Sequence, residues 1–282
     1  MSIPQIPLVE LNDGWKIPAN VFGTPDAPKE QALAIYLNAL DSGWRALDTA
    51  RSYGNEDVVG AAIAQTSVPR SEIFVTSKVA GRHHGYDQTL AGFETSMSEL
   101  GLEYLDLYLI HWPNPAWDKY VDTWRAMVKL RGEGRVRSFG VSNFTTDFIL
   151  RLQAETGVLP AVNQIERHPF FPNAAQVRAN TELGVVTESW SSLGHQGAEL
   201  KDPVIVELAA ARGVSVAQIL LRWNIQGGAI PVSYTRQPQR VKENLDVYSF
   251  ELTPAEMDAI DTLARPDGAV WGSDPATEIV QW

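Results

Sequence analysis

At 282 residues, the chain can bury roughly three quarters of its unfolded surface, so one barrel-sized core needs no disulfide or metal staple. Hydrophobic residues make up 44% and charged residues 20%, cysteine is absent, and the formal net charge is −11. This balance excludes disulfides, zinc-thiolate sites and thiol nucleophiles, and it argues against nucleic acid or an anionic membrane as partner.

The opening stretch MSIPQIPLVELNDG has neither a basic leader nor an apolar run of signal-peptide length, so the expected location is the cytoplasm. No later run approaches the ~20 apolar residues needed to span a bilayer. The LNDG turn followed by Lys16 predicts a short hairpin able to plug one end of a barrel. Beyond it, β-rich runs alternate with amphipathic stretches, the pattern of strand-helix units and a parallel sheet. Eight strands are predicted, over 20–23, 45–48, 73–78, 105–111, 136–142, 161–166, 185–190 and 229–233. Eight is the number that closes a barrel, whereas seven would leave it open, so the short first run counts as a strand. The expected fold is a single (β/α)8 TIM barrel over residues 1–282, with an N-terminal hairpin and an extra C-terminal loop.

Helices are legible between the strands. Leu90, Phe93, Met97 and Leu100 put one apolar stripe on a helix. Ser215 with Gln218, and Thr253-Pro254 with Glu256, are capping boxes that start two more. No Pro/Gly/Ser-rich linker divides the chain.

Ionisable residues gather where the early strands end: Asp48 and Tyr53 in DTARSYGNE, Lys78 closing IFVTSK, and His111 closing LDLYLIH. In a parallel barrel the strand ends share one rim, the rim that carries chemistry. A tyrosine titrates near ~10, and lowering that by ~2 units takes roughly 3 kcal/mol of differential interaction. A half-buried lysine can supply it, provided a carboxylate such as Asp48 keeps the lysine charged. A neutral histidine can orient a carbonyl oxygen by hydrogen bonding. Such acid catalysis contributes ~10² to 10⁴ in rate, which leaves the remainder to an oriented hydride donor. Taken singly, Asp48 suits a helix cap, Tyr53 a loop aromatic, His111 a rim histidine and Trp190 the core; together they point to proton transfer to a carbonyl. No G-x-G-x-x-G, P-loop, G-x-S-x-G or H-E-x-x-H motif occurs. His83, His84, His168 and His195 lack metal-ligand spacing and are expected in loops, with His195 a weak candidate for a cofactor-loop contact.

Seven blocks in register, DTARSYGNE, the Lys78 strand end, LYLIHWP, GVSNF, VNQIE, ESWSSLG and IPVS followed by RVKEN, resemble the aldo-keto reductases over nearly the whole chain. Within that family the chain is most similar to the bacterial 2,5-diketo-D-gluconate reductase type. The resemblance implies an NAD(P)H-dependent reductase of aldehydes or ketones with no metal, in which Tyr53 is the general acid, Lys78 and Asp48 tune it, and His111 orients the carbonyl. It also implies that Ser142, Asn143 and Gln164 hold the nicotinamide carboxamide while Trp190 stacks on the ring. Ser192, Leu193 and Gly194 would line the pyrophosphate, Leu193 through its backbone alone. Ser233, Arg240 and Asn244 would receive the adenosine end, with Glu243 nearby.

The chain departs from the family in three places. Val232 stands where a lysine commonly meets the 2′-phosphate of NADPH, so NADPH is expected with reduced preference and NADH as a competitor, Arg236 offering a substitute charge. Val79-Ala80-Gly81 replaces the usual Leu-Trp after the lysine, which removes a pocket wall. Phe22, Trp112, Trp117, Trp271 and Trp282 are expected to rebuild it around a roomier pocket, with the C-terminal tail as a lid. The first strand is also short, leaving contacts at Phe22, Gly23 and Thr24 open. The partner is then a small-molecule carbonyl compound and the protein a monomer. The alternatives are a cofactor-binding regulatory module with little turnover, as in potassium-channel β subunits of this superfamily, and a crystallin-like structural role. Substrate identity does not follow from fold and tetrad.

Overall fold

The computed structural model describes residues 6–24, 27–194, 197–270, 272 and 274–281. Two short strands, β1 (Leu8–Glu10) and β2 (Lys16–Pro18), pair antiparallel as the predicted hairpin. Eight parallel strands follow: β3 (Val21–Gly23), β4 (Ala46–Asp48), β5 (Phe74–Val79), β6 (Leu105–Ile110), β7 (Val136–Ser142), β8 (Val162–Glu166), β9 (Val186–Trp190) and β10 (Ala229–Ser233). They close into a barrel in the order β10-β3-β4-β5-β6-β7-β8-β9, with β9 returning to β10. The short first strand is genuine: β3 pairs with both β10 and β4 and seals the barrel.

These strands read as apolar runs because both faces are covered. Alternation sorts the side chains into two layers. In β6, Leu107 and Leu109 enter the barrel interior while Tyr108 and Ile110 join the layer beneath the helices. The interior cluster of Val21, Ala46, Leu107, Leu109, Val162 and Ile230 is completed by Leu11 and Ile17 from the hairpin. The hairpin is tied down by Asn12 Nδ2 donating to Pro160 O (2.9 Å) and Ser138 Oγ donating to Asp13 Oδ2 (2.8 Å). It therefore closes the end of the barrel opposite the strand C-termini.

The helices form where their caps and stripes predict. Phe93, Met97 and Leu100 are buried in the helix Tyr86–Leu100, with Leu90 packed beside them. Reciprocal capping boxes start Val216–Gln226 and Pro254–Asp261. Together with Pro203–Arg212, these two helices bury a satellite cluster around Trp223 and Leu252.

Candidate active site

The parity that fills the interior also fills the mouth. Asp48, Lys78, Gln164, Glu188 and Trp190 share the inward phase of their strands, and His111 follows β6 in the same phase, its N–H donating to Val79 O at 3.3 Å. Tyr53 stands in the short turn Arg51–Tyr53 beyond β4, with Gly54 behind it in the left-handed region (φ 64°) that glycine adopts without strain. The turn is held from below. Thr49 N donates to Thr76 O (2.9 Å), Thr49 Oγ1 donates to Asn55 Oδ1 (2.6 Å), and Ser77 Oγ donates to the buried Glu56 (2.6 Å).

The four residues singled out as catalytic meet. Lys78 is fully buried and donates from Nζ to Asp48 Oδ1 and to Thr49 O (3.0 Å). The same ammonium lies 5.2 Å from the centre of the Tyr53 ring. The Tyr53 and His111 rings meet edge to face, centroids 5.7 Å apart, and Ser52 Oγ lies 3.3 Å from His111 Nδ1. Burial would discharge Lys78, but Asp48, with smaller contributions from Tyr53 and Glu188, outweighs it and leaves the lysine above its ordinary value. Burial and the Lys78 charge push His111 well below the usual range, so its imidazole is neutral.

Tyr53 departs from the sequence-based expectation. Burial raises its pKa, Lys78 lowers it, the Asp48 charge raises it again, and the net shift is upward. The first physical reason is lost hydration of the phenolate, and the second is that Asp48 offsets part of the Lys78 field. With 43% of Tyr53 exposed, the burial contribution is that of a rim, smaller than that of a core. A phenol that keeps its proton through the neutral range remains a proton donor.

A second set of polar side chains lies beside these residues. Ser142 Oγ donates to Gln164 O (2.9 Å), Asn143 Nδ2 donates to Ser142 Oγ (3.0 Å) and His111 O (3.1 Å), and Trp190 Nε1 donates to Asn143 Oδ1 (2.8 Å). Trp190 is thus fixed by its edge, half-buried, at a cavity of about 150 Å³ lined also by Trp112, Asn143, Phe171 and Pro275. The loop after it is anchored by Ser192 Oγ donating to Val232 O (2.8 Å) and Asn224 Nδ2 donating to Ser192 O (3.2 Å). Leu193 packs its side chain toward the satellite cluster. Gly194 lies on the Glu199 carboxylate, where a Cβ would stand 2.1 Å from an oxygen. Farther along, Ser233 Oγ and Asn244 Oδ1 are buried without a hydrogen-bond partner among the described residues, the state of groups awaiting a polar ligand. Arg240 and Glu243 lie exposed on the helix Pro238–Glu243.

Of the substrate-wall candidates, one is corrected and one lies apart from the Trp190 cavity. Phe22 points outward: its parity is opposite to that of Val21 and Gly23, and its fully buried ring packs at 5.2 Å on Trp44 beneath the helices. Trp117 sits edge-on to His84 at 6.2 Å and lines a different cavity with Gly81, Arg82 and Lys119. Trp112 alone among the described wall candidates faces the Trp190 cavity. Trp271, Trp282 and His195 lie outside the described residues. His168, expected in a loop, lies in the loop after β8 and is buried there, with Nε2 2.9 Å from Glu166 Oε1 and Nδ1 2.8 Å from Glu199 Oε1. Glu188 was missed as a site residue; its signal was an acid two positions before Trp190, on the same inward face.

A closed parallel barrel with a buried lysine, carboxylate and neutral histidine and a half-exposed tyrosine at its C-terminal mouth defines an enzyme of the TIM-barrel class. Residues 19–265 match the sequence model of the aldo/keto reductase family. Over 98% of its length the chain is 44% identical to 2,5-diketo-D-gluconic acid reductase B of Corynebacterium sp., covering 99% of that protein. It is 42% identical to morphine 6-dehydrogenase of Pseudomonas putida, over 95% and 94% of the two chains. Among solved structures, a mutant of Gox0644 in complex with NADPH superposes with a TM-score of 0.92 at 39% identity, covering 97% of this chain and 99% of that one. An aldo/keto reductase from Brucella melitensis gives 0.88 at 44% identity, over 92% and 100%. The chain belongs to the aldo/keto reductase family, and it is an NAD(P)H-dependent oxidoreductase that reduces an aldehyde or ketone to an alcohol.

Proposed function

We propose that the protein reduces bulky aldehydes or ketones, with Tyr53 as the proton donor and NADPH as the preferred cofactor. The observation that carries this assignment is Lys78, buried and charged between Asp48 and the Tyr53 ring. Bound at the mouth, the cofactor would supply hydride to the carbonyl carbon. Tyr53 delivers its proton to the carbonyl oxygen, and Lys78 stabilises the phenolate left behind. Neutral His111 directs that oxygen toward Tyr53. Ser142, Asn143 and Gln164 would hold the carboxamide, Trp190 the ring face, residues 192–194 the pyrophosphate, and Ser233, Arg240 and Asn244 the adenosine end, with Glu243 beside them.

The inward-facing, half-buried Val232 offers no cation to a 2′-phosphate, so NADH competes, with Arg236 and Arg240 supplying the remaining positive charge. The relatives' names span a sugar acid and a polycyclic alkaloid, which supports a tolerant pocket. We place the protein in the cytoplasm as a monomer acting through one domain, in keeping with its lack of cysteine and of a heptad seam.

The experiment is Tyr53→Phe, followed by loss of nicotinamide absorbance over a panel of keto acids, diketo sugars, aromatic aldehydes and cyclic ketones. Reduction should fall by at least about 10²-fold while cofactor quenching of tryptophan fluorescence is retained. Undiminished turnover in the variant would remove Tyr53 as the acid. Tight cofactor binding with no turnover in the wild type would favour a regulatory module.

A further inference from the structure

Beneath Tyr53 lies a buried polar layer formed by Asp48 from β4, Lys78 from β5, Gln164 from β8 and Glu188 from β9. Gln164 Nε2 donates to Asp48 Oδ2 and to Glu188 Oε2, each at 2.9 Å. Asp48 Oδ1 accepts from Lys78. One amide therefore bridges two carboxyl groups, and a continuous chain runs from Glu188 through Gln164, Asp48 and Lys78 to the Tyr53 ring. We propose that Glu188 is a positioning residue of the active site: it holds Gln164 and Asp48 in place, and its own proton keeps the layer beneath Tyr53 neutral. This inference rests on Tyr53 being the proton donor.

The charges support it. With both acids ionised, one lysine would face two carboxylates in a dry interior and leave an uncompensated negative charge. Glu188 is fully buried, and its Oε1 has no hydrogen-bond partner among the described residues, an arrangement far less costly for a neutral acid than for an anion. The charged groups facing it are Asp48 and Lys78, while the adjoining β8 and β10 present Gln164 and Ile230, which do not titrate. Burial and the Asp48 charge push the Glu188 carboxyl up to about 8, against the opposing pull of Gln164 and Lys78. Above that pH a second anion shares Lys78. Less of the lysine's field then reaches Tyr53, and the phenolate that forms as Tyr53 releases its proton is stabilised less. Reduction slows in consequence.

The test is the pH profile of kcat for carbonyl reduction, from about pH 6 to 10, in the wild type and in Glu188→Gln. Glutamine keeps the shape and the acceptor for Gln164 but cannot ionise. The wild-type rate should fall severalfold across pH 8, and in the variant that fall should move upward by at least about one unit; superimposable profiles would overturn the proposal. A purely structural role would lower kcat equally at every pH, which would also overturn it. Should Glu188→Gln not fold, the wild type itself decides. The infrared band of a protonated carboxylic acid, shifted by isotope-labelled glutamate, should be present at pH 7 and vanish through about 8; its absence at pH 7 overturns the assignment. Tyr53→Phe separates the two claims. If it still reduces, the acid assignment falls and the Glu188 proposal with it. If it is dead while the two profiles superimpose, Glu188 alone is refuted.

Discussion

Gly81 and Val280 touch backbone to backbone: a Cβ on Gly81 would stand 1.8 Å from the Val280 carbonyl oxygen. Asn114 secures the contact from the other side, its Nδ2 donating to Val280 O (2.9 Å) and its Oδ1 accepting from Val280 N (2.6 Å). Arg82 N also donates to Gln281 O at 3.0 Å. The tail is therefore strapped across the ends of β5 and β6, in the space opened by Val79-Ala80-Gly81. Gly81→Ala should lift it, costing more than about 1 kcal/mol and raising KM more than it changes kcat. Limited proteolysis from the C-terminus, alongside KM, checks this; an unchanged cleavage rate and KM would mean that the strap does not shape the pocket.

Lys78 and Asp48 stabilise each other only as a pair. Lys78→Met leaves a buried carboxylate unpaired and should destabilise the fold by about 3–5 kcal/mol. Adding Asp48→Asn should recover much of that loss while activity stays absent. Urea unfolding of both variants is the measurement, and a double variant no more stable than the single would contradict a net cost for the lone anion.

His168 makes stability depend on pH. Its burial favours the neutral ring, but hydrogen bonds and charges from Glu166 and Glu199 outweigh that and raise its pKa. Because the folded value lies above the unfolded one, the contribution is fully present below about 6.5 and is lost as pH rises through the folded value. His168→Gln should thus lower Tm more at pH 6 than at pH 9. Equal losses at both would show that the imidazolium charge is not what stabilises the cluster.

Val232 bears on cofactor choice. Val232→Lys should raise the ratio of kcat/KM for NADPH over NADH by about tenfold, the size of one added charge contact of ~1.4 kcal/mol. A ratio that does not move would place the 2′-phosphate elsewhere.

Much of this was legible because parallel strands covered on both faces are apolar runs that end at a rim. All eight barrel strands fall within a residue or two of their predicted bounds, and Asp48, Tyr53, Lys78 and His111 meet as their positions at strand ends implied. Phe22 was misplaced although the period-two rule, applied to Val21-Phe22-Gly23, sends its side chain outward. Glu188, His168 and the tail strap were hidden for a different reason. Their meaning depends on partners far away in sequence, such as Asp48 for Glu188 and Asn114 for Val280, and no local pattern encodes such pairings.

The hairpin at the far end of the barrel gives the polar layer a dry floor. Leu11 and Ile17 complete an apolar cluster below Asp48, Lys78, Gln164 and Glu188, so the door left to the layer among the described residues is the mouth beside Tyr53. Whatever occupies that door also decides when the layer can trade protons with water.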